Sequence, residues 1–152
     1  MKVINIKNIF KSAKQIEMEA AFDFSEKVSD YIDFIVSFQS FRKYANLTIL
    51  DLFKLLNEYG TFSEVPLENL SNVKFKFQTI LFHYDKLKIS LQDYLQETFS
   101  SMGSVLYENS QDDLVSALYE SKYNKLEKRL SYFEYVENLT DYISYYVMER
   151  AS

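Results

Sequence analysis

Apolar residues recur along this chain at intervals of three and four, and over long stretches those intervals sum to seven. Leu70, Phe77, Tyr84, Leu91 and Thr98 stand seven apart, with Val73, Ile80, Leu87 and Tyr94 between them. Such spacing lines up side chains on one stripe of an α-helix, whereas a strand alternates with a period of two. It predicts a long helix from Pro66 to about Ser100 whose inner stripe zips against neighbouring helices.

The same reading divides the rest of the chain. From Ile6 to about Lys43 the period is helical, and Ala21, Phe24, Val28, Tyr31, Ile35, Phe38 and Ala45 take heptad positions, with Arg42 interrupting the row. After Tyr31 this segment gains Ile32, Phe34, Val36 and Phe41 on its other sides, so its second half is expected to be the more buried. Thr48 with Asp51 three residues on resembles a capping box and predicts a short second helix over 49–59, ended by Gly60. Its expected inner face is Ile49, Leu52, Phe53, Leu56 and Tyr59. GTFSEVP then reads as a loop, with Pro66 suited to the first turn of the next helix. SSMGS leaves open whether Gly103 breaks the third helix. Ser110 with Asp113 resembles the cap of a fourth, over about 111–149, with a bend expected near Asn138. The prediction is an all-α, up-and-down helical bundle of three long helices plus one short helix, forming a single domain over 1–152.

The last of these helices carries the densest chemistry. In YFEYVENLTDYISYYVMER, Phe133, Val136, Thr140, Ile143 and Val147 form one stripe, expected to face the core. Tyr132, Tyr135, Leu139, Tyr142 and Tyr146 form the stripe beside it. Tyrosine buries a large ring but needs water or a partner for its hydroxyl. The tyrosine row therefore either roofs the groove between helices or docks another chain, where tyrosine is enriched.

Composition narrows what such a bundle can do. The 152 residues are 47% hydrophobic and 26% charged, the proportions of a globular chain, with two glycines and one proline to punctuate it. A domain of this length buries roughly 70% of its unfolded surface, enough for a real core. The absence of cysteine removes disulfides, thiolate metal sites and thiol nucleophiles, and fits a reducing cytoplasm. The opening residues lack the apolar core of a signal peptide, and no run of about 18 apolar residues suggests a membrane span. A net charge of −5 argues against direct binding of nucleic-acid phosphates and favours partners with a basic surface.

Charge is nonetheless patterned. Glu19, Asp23, Glu26, Asp30 and Asp33 share the face of the first helix opposite its apolar row, either as a solvated surface or as an acidic ledge that steers a basic partner. Lys2, Lys7, Lys11 and Lys14 precede them without an acid, as the solvated side of the helix start. Lys122, Lys125, Lys128 and Arg129 form a second basic group, interspersed with Glu120 and Glu127.

Candidate enzymatic chemistry is thin. Asp30-x-x-Asp33 and Glu134-x-x-Glu137 offer hard oxygen ligands of the kind that all-α nucleotide pyrophosphohydrolases use to hold magnesium. No glycine-rich loop or basic cluster is expected to stand ready for phosphates beside them. His83 is the sole histidine, and Ile80 stands where a bundle di-iron motif needs a glutamate. No catalytic residue, metal ligand or cofactor is assigned from the sequence. It supports a non-enzymatic helical protein-binding module, of the inhibitor, immunity-type or adaptor kind, with Tyr132, Tyr135, Tyr142, Tyr146 and the five acids as its contact residues. The alternatives are the magnesium-dependent hydrolase and a self-assembling structural subunit. A homodimer is expected if an apolar stripe stays uncovered.

Overall fold

A computed structural model describes residues 13–108 and 113–151. Among them are four helices: α1, Ala13–Tyr59, of 47 residues; α2, Leu67–His83, of 17; α3, Lys86–Glu108, of 23; and α4, Asp113–Ala151, of 39. The protein is all-α, with three longer helices and one shorter. None of the described helices is long and apolar enough to cross a membrane.

The chain falls into two compact units, Met1–Val36 and Ser37–Ser152. In the first, Phe34 is buried and its ring lies 5.9 Å from that of Tyr31, while Val28, Ile32 and Val36 are exposed. The expected burial of Val28, Ile32 and Val36 is therefore not found. The start predicted at Ile6 and the lysines up to Lys11 lie outside the described residues.

The second unit is built on α4. Both α2 and α3 pack along it. Val136, Thr140, Ile143 and Val147 of its predicted inner stripe are all buried, as is Phe133. Phe41 of α1 stacks on Phe133, with ring centroids 4.8 Å apart. The inner row of the third segment is buried at Leu70, Val73, Phe77, Leu87, Leu91 and Thr98. Burying these groups is what holds the helices side by side.

Three boundaries differ from the sequence-based expectation. The first and second predicted helices are one: Thr48 sits inside α1, and its hydroxyl donates to the Tyr44 carbonyl at 3.0 Å instead of capping a new helix. Nothing from Phe41 to Leu52 breaks a helix, and Phe41, Ala45, Thr48 and Leu52 form one buried stripe, so packing carries the helix through the capping-box pattern. Phe53, predicted inward, is more than half exposed. The third predicted helix is two, separated by a turn at Tyr84 and Asp85 in which Tyr84 N–H donates to the Ile80 carbonyl and Leu87 N–H to that of Tyr84. That turn preserves the buried register, so the heptad pattern passes over it unchanged. Finally, α3 runs past the expected end near Ser100, through Gly103, to Glu108, and α4 is one helix from Asp113 to Ala151. Ser110 lies outside the described residues.

The loop over 60–66 is as expected. Gly60 takes a φ of +87°, the left-handed conformation that ends a helix at little cost for glycine, and its N–H closes on the Leu56 carbonyl at 2.7 Å. Val65 within the loop is fully buried, and Arg150 near the end of α4 donates to the Phe62 and Val65 carbonyls. Buried Thr98 and Thr140 return their hydroxyls to the carbonyls of Tyr94 and Val136, each at 2.7 Å. Among the described residues no buried side-chain polar atom lacks a partner.

Candidate functional site

The tyrosines of α4 do not form one uniform surface. Tyr132 is an internal strut: it is half-buried, its ring meets Phe38 and Phe41 edge-on at 6.3 and 6.0 Å, and its hydroxyl donates to Asn46 Oδ1 of α1. Burial pushes its phenol up from the ordinary tyrosine value, with the nearby Arg42 guanidinium pulling the other way. Tyr135 is half exposed. Tyr142 and Tyr146 close on the 60–66 loop, where Phe62 stacks on Tyr146 at 5.4 Å and meets Tyr142 edge-on at 5.5 Å. Their hydroxyls lie 3.3 Å apart, and the hydrogen bond between them is the first cause that raises the Tyr146 phenol. Tyr145 and Met148 beside them are exposed.

The acidic row is partly visible. Glu26, Asp30 and Asp33 are exposed on α1, whereas the side chains of Glu19 and Asp23 lie outside the described set. Of the carboxylate pair on α4, Glu137 accepts from Lys88 of α3 at 2.9 Å. That hydrogen bond, reinforced by the charges of Glu137 and Glu134 against partial desolvation, raises the lysine above its ordinary value. A carboxylate engaged by a lysine is poorly placed to bind a divalent cation. Among the described residues no three His, Asp or Glu side chains converge as a metal site would require. His83 is exposed, its ring edge-on to Tyr84 at 4.6 Å.

A different surface of the second unit is strongly apolar. Phe75 and Phe82 of α2 and Ile89 of α3 stand seven apart and are 69%, 82% and 61% exposed. Each precedes an inner-row residue by two positions, a rotation of about 200° around a helix, which points it away from the core. Beside Phe75, the exposed Tyr44 and Leu47 of α1 line a hollow of about 360 Å³ that extends to Thr79 and Ile80. Lys76 of α2 and Asp51 of α1, 3.2 Å apart, bridge its edge. The sequence reading missed this outer row because it followed only the strongest repeat. The signal was present: Phe75, Phe82 and Ile89 keep the same period, among the polar residues Lys74, Lys76, Gln78 and Thr79.

Comparison with protein-family models, curated proteins and solved structures gives no significant match to this chain.

Proposed function

We propose that this protein is a non-enzymatic helical binding module that covers a surface of a partner protein, in the manner of an inhibitor, immunity-type protein or adaptor. The outer row of Phe75, Phe82 and Ile89 carries the reading. Fully burying one such side chain gains about 1.5–3 kcal/mol, so covering three supplies several kcal/mol, and each 1.4 kcal/mol is about tenfold in affinity. Neighbouring Tyr44 and Leu47 extend the row into an apolar hollow. A seven-residue row is the complement of an amphipathic helix, whose own apolar stripe packs into it knob by hole. The occupant is such a helix on a partner of opposite net charge, steered by the −5 of this chain. The hydroxyl-rich Tyr142, Tyr145 and Tyr146 group is a secondary contact.

The test is affinity capture from the native host with the full chain, the Phe75→Ser/Phe82→Ser double variant and Tyr135→Ser. Circular dichroism verifies that all three are folded. Stoichiometric recovery of one partner by the unaltered chain and by Tyr135→Ser, lost in the double variant, is the expected result. Undiminished recovery by the folded double variant overturns the assignment. Sedimentation of the purified chain supplies the other arm: concentration-dependent association abolished by Phe82→Ser would give this face to a second copy and overturn the heterologous partner.

A further inference from the structure

A second hollow, also of about 360 Å³, opens between α1 and α4 and is lined by Phe38, Arg42, Lys125, Lys128, Arg129 and Tyr132. Four of those six residues are cations and none is an acid, in a chain with 22 acidic and 17 basic residues. Helix geometry explains the segregation. Lys125, Lys128, Arg129 and Tyr132 fall at i, i+3, i+4 and i+7 on one face of α4. Glu120, Glu127 and Glu134, interspersed with them in sequence, fall on the opposite face. On α1 the carboxylates nearest to Arg42 in sequence, Asp33 and Asp51, are each nine positions away. The described ion pairs, Lys76 with Asp51 and Lys88 with Glu137, involve none of the four.

The floor beneath the cations is fixed. Phe38 is buried, Tyr132 meets it edge-on, and the Arg129 guanidinium sits over the Phe38 ring at 5.9 Å. The Tyr132 hydroxyl, held by Asn46, also lies 3.4 Å from the carbonyl of Arg42. Four like charges gathered at one hollow repel unless an anion joins them.

We infer that this hollow binds an anion carrying two adjacent phosphate groups. One carboxylate would leave most of the positive charge uncompensated, whereas a diphosphate brings a matching charge. Its oxygens suit the paired N–H groups of Arg42 and Arg129, with Lys125 and Lys128 as point charges. The volume admits a small molecule and not a folded chain. The site is separate from the outer apolar row, and each stands or falls alone.

Titration calorimetry of the full chain with inorganic pyrophosphate tests it, with sulfate as the single-anion comparison. The expected result is one site per chain, roughly tenfold or more tighter for pyrophosphate than for sulfate, and weakened about tenfold by Arg42→Gln or Lys128→Gln. Lys54→Gln, outside the hollow, should bind like the unaltered chain. Phosphatidylcholine vesicles with and without phosphatidylinositol bisphosphate separate the sources: Arg42-dependent co-sedimentation with the latter alone assigns a lipid headgroup, and pyrophosphate binding without it assigns a free ligand. Absence of binding to both probes, or binding of equal strength for sulfate and for folded Arg42→Gln, overturns the inference.

Discussion

Replacing Phe41 by alanine tests whether the aromatic cluster, and not the helices separately, holds the second unit together. The Phe41 ring is fully buried and touches four others: it stacks on Phe133 at 4.8 Å and meets Phe38, Tyr84 and Tyr132 at 5.9, 5.7 and 6.0 Å. Those partners come from α1, the turn after α2, and α4, so no single element can move inward to fill the void. Phe→Ala in a core costs about 3–5 kcal/mol, and a void that cannot collapse belongs in the upper half of that range. For a chain of 152 residues each kcal/mol lowers Tm by about 2–4 °C, which gives a drop of roughly 8–20 °C. Far-UV circular dichroism during thermal and urea unfolding measures it. Phe82→Ala is the matched comparison, because the same truncation at an 82% exposed ring should change stability by no more than about 0.5 kcal/mol. A cost below about 2 kcal/mol for Phe41→Ala, or an equal cost for Phe82→Ala, would refute the packing argument.

Two further outcomes follow from the helix and the strut. Ile49→Pro would fit the first turn of a helix capped by Thr48, but within a continuous α1 it removes the bond to the Ala45 carbonyl and should cost about 3 kcal/mol or more in the same unfolding assay. Lys88 and Tyr132 both hold their protons more tightly when folded, so the stability they confer is complete below their ordinary values and disappears as pH climbs through the folded ones. Urea midpoints should therefore fall above about pH 10, and Tyr132→Phe, at a cost of about 1 kcal/mol near neutrality for its bond to Asn46, should make that alkaline decline shallower.

Periodicity made the fold legible where burial and repeat coincide. Leu70, Phe77 and Leu91, from the strongest apolar repeat, are in the core, as is the stripe from Phe133 to Val147. Capping chemistry was a poorer guide. Thr48 and Asp51 match a helix start, yet a threonine hydroxyl can equally return to the carbonyl one turn back, and the buried stripe through Ala45 and Leu52 decides between them. The break at Tyr84 left no trace because neither glycine nor proline makes it. The candidate surfaces were harder still. Tyr132 shares its stripe with Tyr142, but only the position of Asn46 shows that one is a strut while the other contacts the loop. The basic hollow needed Arg42 and the α4 residues to be brought together across more than eighty positions of chain, which no local pattern records.

The inner and outer rows of α2 share one repeat, and that ties its length while freeing its lettering. Deleting one residue between Phe77 and Phe82 would turn everything downstream by about 100°, misplacing Tyr84 and Leu87 together with the ring at 82. Exchanging Phe75 or Phe82 for another side chain, by contrast, leaves the inner row untouched. Such a helix can change what it recognises over generations without renegotiating how it folds.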